Sequence, residues 1–296
     1  MRLPSSRGAL WAACVLWCAL GLWHALVQPL FTLQRLEWLS DDLRTRALAS
    51  AARTPHPDIV IVDIDEDSLR DIGHWPWSRD HLADLVRELF ERQHVAALGF
   101  DLVFAEPDAA SLRELERLAQ HDGALRQRLP AWRAALDHDP ALAEALKGRP
   151  AVLGWYLSTD RGGARNGRLP APWAHVPGHA DTPAWPHWNG YGANLPEFAA
   201  AAPRAGFFNA LIDDDGVVRS VAAVGRLDDG LYDSLALALW RCATGDPQPE
   251  PRWRTYPGQA GALELEAIDY RHAGETSVRR LRLDARGGLR VPFRGQ

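Results

Sequence analysis

The chain of 296 residues is 47% hydrophobic and 24% charged, with a formal net charge of -5. That is enough apolar material for one full core, and the acidic balance argues against a phosphate-backbone partner, so no nucleic acid is expected. Lys147 is the only lysine among 33 basic residues, and Cys14, Cys18 and Cys242 offer no intrachain pair, which argues against lysine-dependent catalysis, a disulfide framework and a thiolate metal site alike.

Residues 1–8 contain Arg2 and Arg7 and no acid; Ala9 to Phe31, ALWAACVLWCALGLWHALVQPLF, then run without a charge and include Trp11, Trp17 and Trp23. About 20 such residues cross a bilayer as a helix, whereas the apolar core of a cleaved leader is typically about 7 to 15 residues. Residues 9–31 therefore read as an uncleaved signal anchor with the lipid bilayer as partner. By the positive-inside rule the N-terminus is cytoplasmic and the rest of the chain lies outside the cytoplasm. Leu36, Leu39, Leu43 and Ala47 recur at helical spacing and predict a juxtamembrane helix over 32–50, which leads into a domain over 51–296.

Ile59 to Val62 is a β-branched run suited to a strand covered on both faces. Leu82, Leu85, Val86, Leu89 and Phe90 mark one face of a helix capped by Ser78, and Val95 to Phe104 is a second buried run. Together they predict a βαβ unit with parallel strands and a right-handed crossover. The expected fold class is α/β: a mixed, largely parallel sheet with flanking helices, preceded by one N-terminal transmembrane helix. Ser111 to Gly148 has helical spacing, with Asp139 as N-cap, Pro140 at the first helical position and Gly148 as the stop. Ala151 to Leu157 reads as a third strand. From Ser158 to Pro203 the chain is rich in Gly, Pro and Trp without a period, and is expected to run over the surface. Asp213-Asp214-Asp215-Gly216 signals a tight turn between strands, a helix is expected over Tyr232 to Cys242, and strands around Leu263 to Ile268, Val278 to Leu283 and Leu289 to Val291.

Parallel strands gather their carboxyl ends, so Asp63 and Asp65 are expected beside Asp101 at the sheet rim, where open α/β sheets bind ligands. Arg79, at the start of the next helix, is placed to grip a carboxylate or phosphate of a small-molecule ligand, or to pair internally with Asp63. Trp75 and Trp77 flank Pro76 as an aromatic wall or a plug, and Arg219 is a weaker candidate beyond the Asp213–Gly216 turn. No metal is expected: Asp63-x-Asp65-x-Asp67 begins like an EF-hand loop, but the sixth position is Ser68 instead of glycine and the twelfth is His74 instead of glutamate. No cofactor is implied. Cys242 follows Leu235 and Leu239 at helical spacing and reads as a core residue.

Two rival readings remain open at this level. An apolar strand ending in Asp63-x-Asp65 is similar to that of haloacid dehalogenase-like phosphatases, which would make Asp63 a nucleophile and Asp65 a general acid. Against it, Asp67 stands where threonine or valine is needed, Asp101 where a neighbouring strand should end in Ser or Thr, and Lys147 is the sole lysine. The other is an anchored interaction or dimerisation module that contacts a partner through Trp173 to Trp188.

The segments DIVIVDIDEDSLRDIGHWPWSRDHLADLVRELF, VAALGFDLVFAEPD, GFFNALIDDDGVVRSV and LYDSLALALW, in that order, resemble the second type of CHASE domain, a cyclase- and histidine-kinase-associated sensory extracellular domain of bacterial membrane receptors. The resemblance runs from about Asp42 to the C-terminus. It implies a non-enzymatic extracytoplasmic sensory domain anchored in the bacterial inner membrane, with an unknown small-molecule ligand and a cytoplasmic effector such as an adenylate cyclase or a protein kinase. The family's later strand, reading like G-K-I-V-L-I-G, is expected shortly after Gly295, so the chain resembles a C-terminally truncated member.

Overall fold

The computed structural model describes residues 11, 14–21, 23, 31–48, 56–108, 113–160, 162–213 and 215–291. The chain divides into two compact units, Met1–Val62 with Pro292–Gln296, and Asp63–Val291.

In the first unit helix α1 spans Phe31–Leu48, where the leucine spacing predicts a helix, and Leu36, Leu39 and Leu43 are each more than half exposed. The expected anchor falls largely outside the described residues; 11, 14–21 and 23 are helical. No helix among the described residues is long and apolar enough to cross a membrane, so the described fold does not contain the expected transmembrane helix. The expected strand Ile59–Val62 is also missing. These four residues are exposed, Ile61 to 88%, and belong to no ladder. β-Branched residues favour an extended backbone, but a strand exists only when a neighbour takes up its hydrogen bonds.

The second unit opens with α2 (Glu66–Ile72), which the apolar pattern does not predict, and α3 (Arg79–Arg87), which continues through a π turn at Glu88–Arg92. Strand β1 is only Leu98–Phe100, because the chain bends at Asp101 and Leu102, so the expected strand Val95–Phe104 is cut to its middle. Helices α4 (Arg113–Ala119), α5 (Gly123–Leu136) and α6 (Asp139–Leu146) follow. His138 is the N-cap of α6, one residue ahead of the expected Asp139, and Pro140 sits in its first turn. Gly148, at φ 71°, follows the helix end. Then come β2 (Ala151–Ser158), β3 (Arg165–Asn166), β4 (Ala174–His175), β5 (Gly190–Gly192), α7 (Pro196–Ala201), β6 (Arg204–Phe207), β7 (Ala210–Ile212), β8 (Val218–Ala222), β9 (Val224–Leu227), β10 (Gly230–Asp233), α8 (Leu235–Ala243), β11 (Gln248–Thr255), β12 (Leu263–Arg271), β13 (Arg279–Arg282) and β14 (Gly288–Arg290).

Strands β1, β2 and β6 form a parallel core, with Phe100 opposite Leu153 and Leu153 opposite Ala205. β5 joins the far end of β2 antiparallel, and β3 runs parallel to β5. The sheets β4-β10-β9, β11-β12-β13 and β14-β8-β7 are antiparallel throughout. The expectation of a largely parallel sheet is therefore corrected to a mixed α/β fold in which, among the described residues, parallel ladders are confined to β1-β2-β6 and β3-β5, with isolated parallel bridges besides. The reason is connection length: a turn such as Asp213–Gly216 can only reverse a strand, whereas parallel neighbours need a crossover.

The two faces of the parallel core follow from period-2 alternation. Phe100 and Leu153 pack with Leu82 and Val86 of α3 and Leu142 and Leu146 of α6. Gly99 and Gly206 point the other way, where α8 lies: a side chain at Gly99 would meet Leu239, and one at Gly206 would lie 2.5 Å from the Leu235 Cα. Leu153, Trp155 and Ala205 thus share the face opposite α8.

The Gly/Pro/Trp-rich segment does not run over the surface as expected. Trp185 is 4% exposed and packs with Leu231, Leu265, Ile268 and Tyr270, and Trp173 and Trp188 are half-buried against the core. Aromatic side chains bury large areas from irregular backbone too, and aperiodic sequence does not reveal it.

Gly206→Ala is expected to cost about 2 to 3 kcal/mol, because the added Cβ meets main-chain atoms of α8 that cannot swing aside. Urea unfolding of the purified chain measures it.

Candidate functional site

The side chains expected at the sheet rim have separate local duties. Asp63 and Asp101 are exposed, and Asp63 ends no strand, so the placement behind the phosphatase resemblance is not present. Asp65 is the N-cap of α2: the Ser68 hydroxyl and backbone N–H donate to its Oδ1 at 2.7 and 2.9 Å, and these bonds, the hydroxyl's first, hold its carboxyl below the usual range.

Arg79 pairs with Asp139, its Nε 3.4 Å from Oδ1, and both side chains are nearly buried. The approach is an ion pair without hydrogen-bond alignment, since neither atom has a hydrogen-bond partner. The guanidinium also donates to the Glu106 carbonyl at 3.3 Å and lies 4.8 Å from the centre of the Phe104 ring. The Arg79 N–H and the Ser78 hydroxyl both donate to Asp108, so Ser78 stands at the N-cap without capping α3 through its side chain. Burial pushes the Asp139 carboxyl up. Arg79 thereby ties α3 to α6 and to the 106–108 loop.

Trp77 donates its indole N–H to the Gly73 carbonyl at 2.8 Å and packs into the core beside Leu82, while Trp75, 37% exposed, meets it edge to face at 5.8 Å. Arg219 is buried, and brackets the β7–β8 turn through Asp215 at 2.8 Å and Asp213 at 3.1 Å. Arg286 holds Asp213 from the other side at 2.9 Å. Cys242 is half-buried, and burial pushes its thiol up, away from nucleophilic use.

The concave site lies elsewhere in this unit, on the sheet face opposite α8. A cavity of about 200 Å³ is walled by Leu153, Trp155 and Ala205 from the sheet, by Ala199 and Ala202 near α7, and by Arg168. Gly167, at φ 80°, turns the chain into it. A side chain there would strike the Ala193 carbonyl at 2.0 Å, so only glycine fits. Asn194 pins this crossing to the sheet, accepting from the Phe104 N–H at 2.8 Å and donating to the Gly154 carbonyl at 2.9 Å. An adjoining hollow of about 380 Å³ shares Pro170, Ala171, Pro203 and Ala205 with the cavity and is lined by Trp173, Tyr232, Asp233, Arg241, Arg204 and Asp246.

Charges alternate along the hollow. Asp233 Oδ2 is 2.5 Å from Arg241 Nη1, Arg241 Nη2 is 3.1 Å from Asp246 Oδ1, and Arg204 Nη2 is 3.5 Å from Asp246 Oδ2. Burial raises the Asp233 carboxyl against the opposing pull of Arg241, and burial, with the nearby Asp233 charge, raises the Tyr270 phenol. Four buried polar atoms of this region, Trp155 Nε1, Trp173 Nε1, Asp233 Oδ1 and the Tyr270 hydroxyl, have no hydrogen-bond partner among the described residues. An unsatisfied buried donor or acceptor costs about 1 to 3 kcal/mol.

None of these residues stands out in the sequence. Asp233 and Arg241 bracket the apolar run of α8, and that isolated pair of opposite charges is the one available signal; nothing local distinguishes Trp155 or Arg168.

A family model for the CHASE2 domain matches residues 12–296. The chain belongs to the CHASE2 family. Its members are extracellular sensory domains, so the CHASE2 fold described above is a sensory module and not a catalytic one. No curated protein and no solved structure matches the chain. Among the described residues there is no His, Cys, Asp and Glu cluster able to hold a metal ion.

Because the Asp233 carboxyl is raised, the folded state keeps a proton that the unfolded chain has already released. The associated stability is full below the ordinary carboxylate range and is lost as pH rises through the raised value. Arg241→Ala is therefore expected to cost about 3 to 5 kcal/mol at neutral pH by leaving Asp233 buried and unpaired. The deficit shrinks in acid, where Asp233 is protonated, and denaturant unfolding at about pH 7 and about pH 4.5 checks both the size and the sign.

Proposed function

We propose that this CHASE2 domain is the extracytoplasmic input module of a bacterial transmembrane signalling receptor, and that it reads a small solute in the cleft beside Trp155 and Asp233. The observation that carries this reading is the cleft itself: a cavity between the sheet and α7, continued by a hollow that reaches Arg241 of α8. A solute seated there touches β2 and β6 through Trp155 and Ala205, and Arg241 on α8, so occupancy is felt on both faces of the parallel core. Signalling then requires only that the solute bind one of two receptor states more tightly than the other. The uncharged run Ala9 to Phe31, preceded by Arg2 and Arg7, supports a bilayer partner and a head outside the cytoplasm; the effector is a cyclase or kinase on the opposite side.

Fusions at Gln296 test the topology. Alkaline phosphatase, which folds actively only outside the cytoplasm, is expected to be active there, and β-galactosidase inactive. The reverse pattern rejects an extracytoplasmic head.

One further observation favours pairing of two copies. Leu36, Leu39 and Leu43 on α1 are exposed at the spacing of a coiled-coil seam. Replacing all three by serine is expected to convert a dimer to a monomer in sedimentation of the detergent-purified chain; a wild-type monomer removes this reading.

A further inference from the structure

We infer that the chain Asp233–Arg241–Asp246 is a proton-operated clamp: with Asp233 ionised, Arg241 ties the loop between α8 and β11 to the sheet, and with Asp233 protonated that loop is released. The inference rests on the sensory reading above for its use in signalling, and adds external acidity as a stimulus that the domain registers.

Geometry sets up the clamp. Arg241, in the last turn of α8, is shared between two carboxylates in different surroundings. Asp233 on β10 is 7% exposed; its Oδ2 meets Arg241 Nη1 at 2.5 Å, while its Oδ1 is buried without a hydrogen-bond partner among the described residues. Asp246 is more open to solvent, takes Arg241 Nη2 at 3.1 Å, and has Arg204 of β6 3.5 Å from its other oxygen. The same guanidinium donates Nε to the Pro247 carbonyl at 3.3 Å, and the Arg241 carbonyl accepts the Asp246 N–H at 2.7 Å. Arg241 is therefore the post to which Asp246 and Pro247 are tied, and Asp233 fixes the post to the sheet. The tied loop holds an uncommon backbone: Gly245 and Asp246 sit at φ 85° and 55°, a region that residues other than glycine seldom occupy.

A buried carboxylate with one oxygen left bare is an arrangement in which the neutral form competes, because burial penalises the charged form alone. Asp233 is faced by Arg241 from α8, Asp246 from the loop and Tyr270 from β12, and β9 sets Val224 opposite it. Behind Asp246 lie Arg204 and the Cys242 thiol, and His272 lies next to Gly245. Arg241 is the cation that opposes protonation, and burial outweighs it. Once Asp233 is neutral, Arg241 keeps Asp246 and the Pro247 carbonyl as partners and moves with them, since the chain of two anions and two cations becomes one anion between two cations. The raised carboxyl makes the domain as a whole most stable in that protonated state, while the loop is then at its loosest. Global stability and local order thus move in opposite directions with pH, a signature that general acid unfolding does not produce.

The test is amide hydrogen exchange of the purified full chain at about pH 7 and about pH 4.5, expressed as protection relative to the unfolded rate, with denaturant unfolding alongside. The Thr244 and Asp246 amides, which donate to the Trp240 and Arg241 carbonyls, are expected to lose about tenfold or more of their protection in acid, while those of β12 do not. Asp233→Asn, an isostere of the protonated acid, should show the loose loop at both pH values, and His272→Gln should keep the wild-type response. Carbon-13 NMR of the aspartate carboxyls in the wild-type chain gives a reading that needs no variant: one carboxyl should titrate above the ordinary range, at the midpoint of the exchange change. Loop protection that is the same at both pH values overturns the proposal. So does a response that survives in Asp233→Asn, one that is lost in His272→Gln, or one whose midpoint matches no aspartate. Each of these rejects the clamp alone, because the fusions at Gln296 decide the extracytoplasmic head independently.

Discussion

One carboxylate taken out of water conditions the arrangement of the cleft. Asp233 ends β10 at 7% exposure and is met by Arg241, which α8 brings back alongside it. A charge in that position survives only with a partner, so the start of α8 is held against the strand that precedes it. Ser234 caps the helix between them. Once α8 is placed, Gly206 and Gly99 permit it to lie close on one face of β1, β2 and β6. That leaves the opposite face to α3, α6 and the cavity at Trp155. The pair links strand, helix and hollow in one electrostatic constraint, and it remains incomplete at Asp233 Oδ1.

Along β11–β13 and at the β7–β8 turn arginine serves the same purpose without such incompleteness. Arg280 and Arg252 both clasp Asp269 and hold its carboxyl far below the usual carboxylate range, Arg254 forks onto Glu264, and Arg219 closes the β7–β8 turn. A chain with one lysine builds these contacts from guanidinium, whose planar donors match carboxylate oxygens two at a time and lose less freedom for each bond made.

The family assignment and the geometry of the cleft answer different questions. Membership of CHASE2 says that the domain senses; it does not say where. The cavity stands on a rigid support, since its floor is made of parallel strands and its rear is clamped by Asn194.

The sequence by itself determined what depends on neighbours along the chain. α1, α3, α6 and α8, the strands β2, β12 and β14, and the turn at Asp213–Gly216 all follow from local period, caps and turn residues, and the motif blocks are specific enough to indicate the family. It did not determine which groups meet. Ile59–Val62 has every local preference for a strand and is none, because pairing is supplied from outside the segment. Trp185 sits in aperiodic sequence and is buried. Arg79 faces Asp139 instead of Asp63, and the cavity is assembled from residues 153, 155, 168, 194, 199 and 205, which no spacing rule connects. Burial and charge compensation are properties of three-dimensional proximity, and tertiary structure alone decides which donor is left without an acceptor.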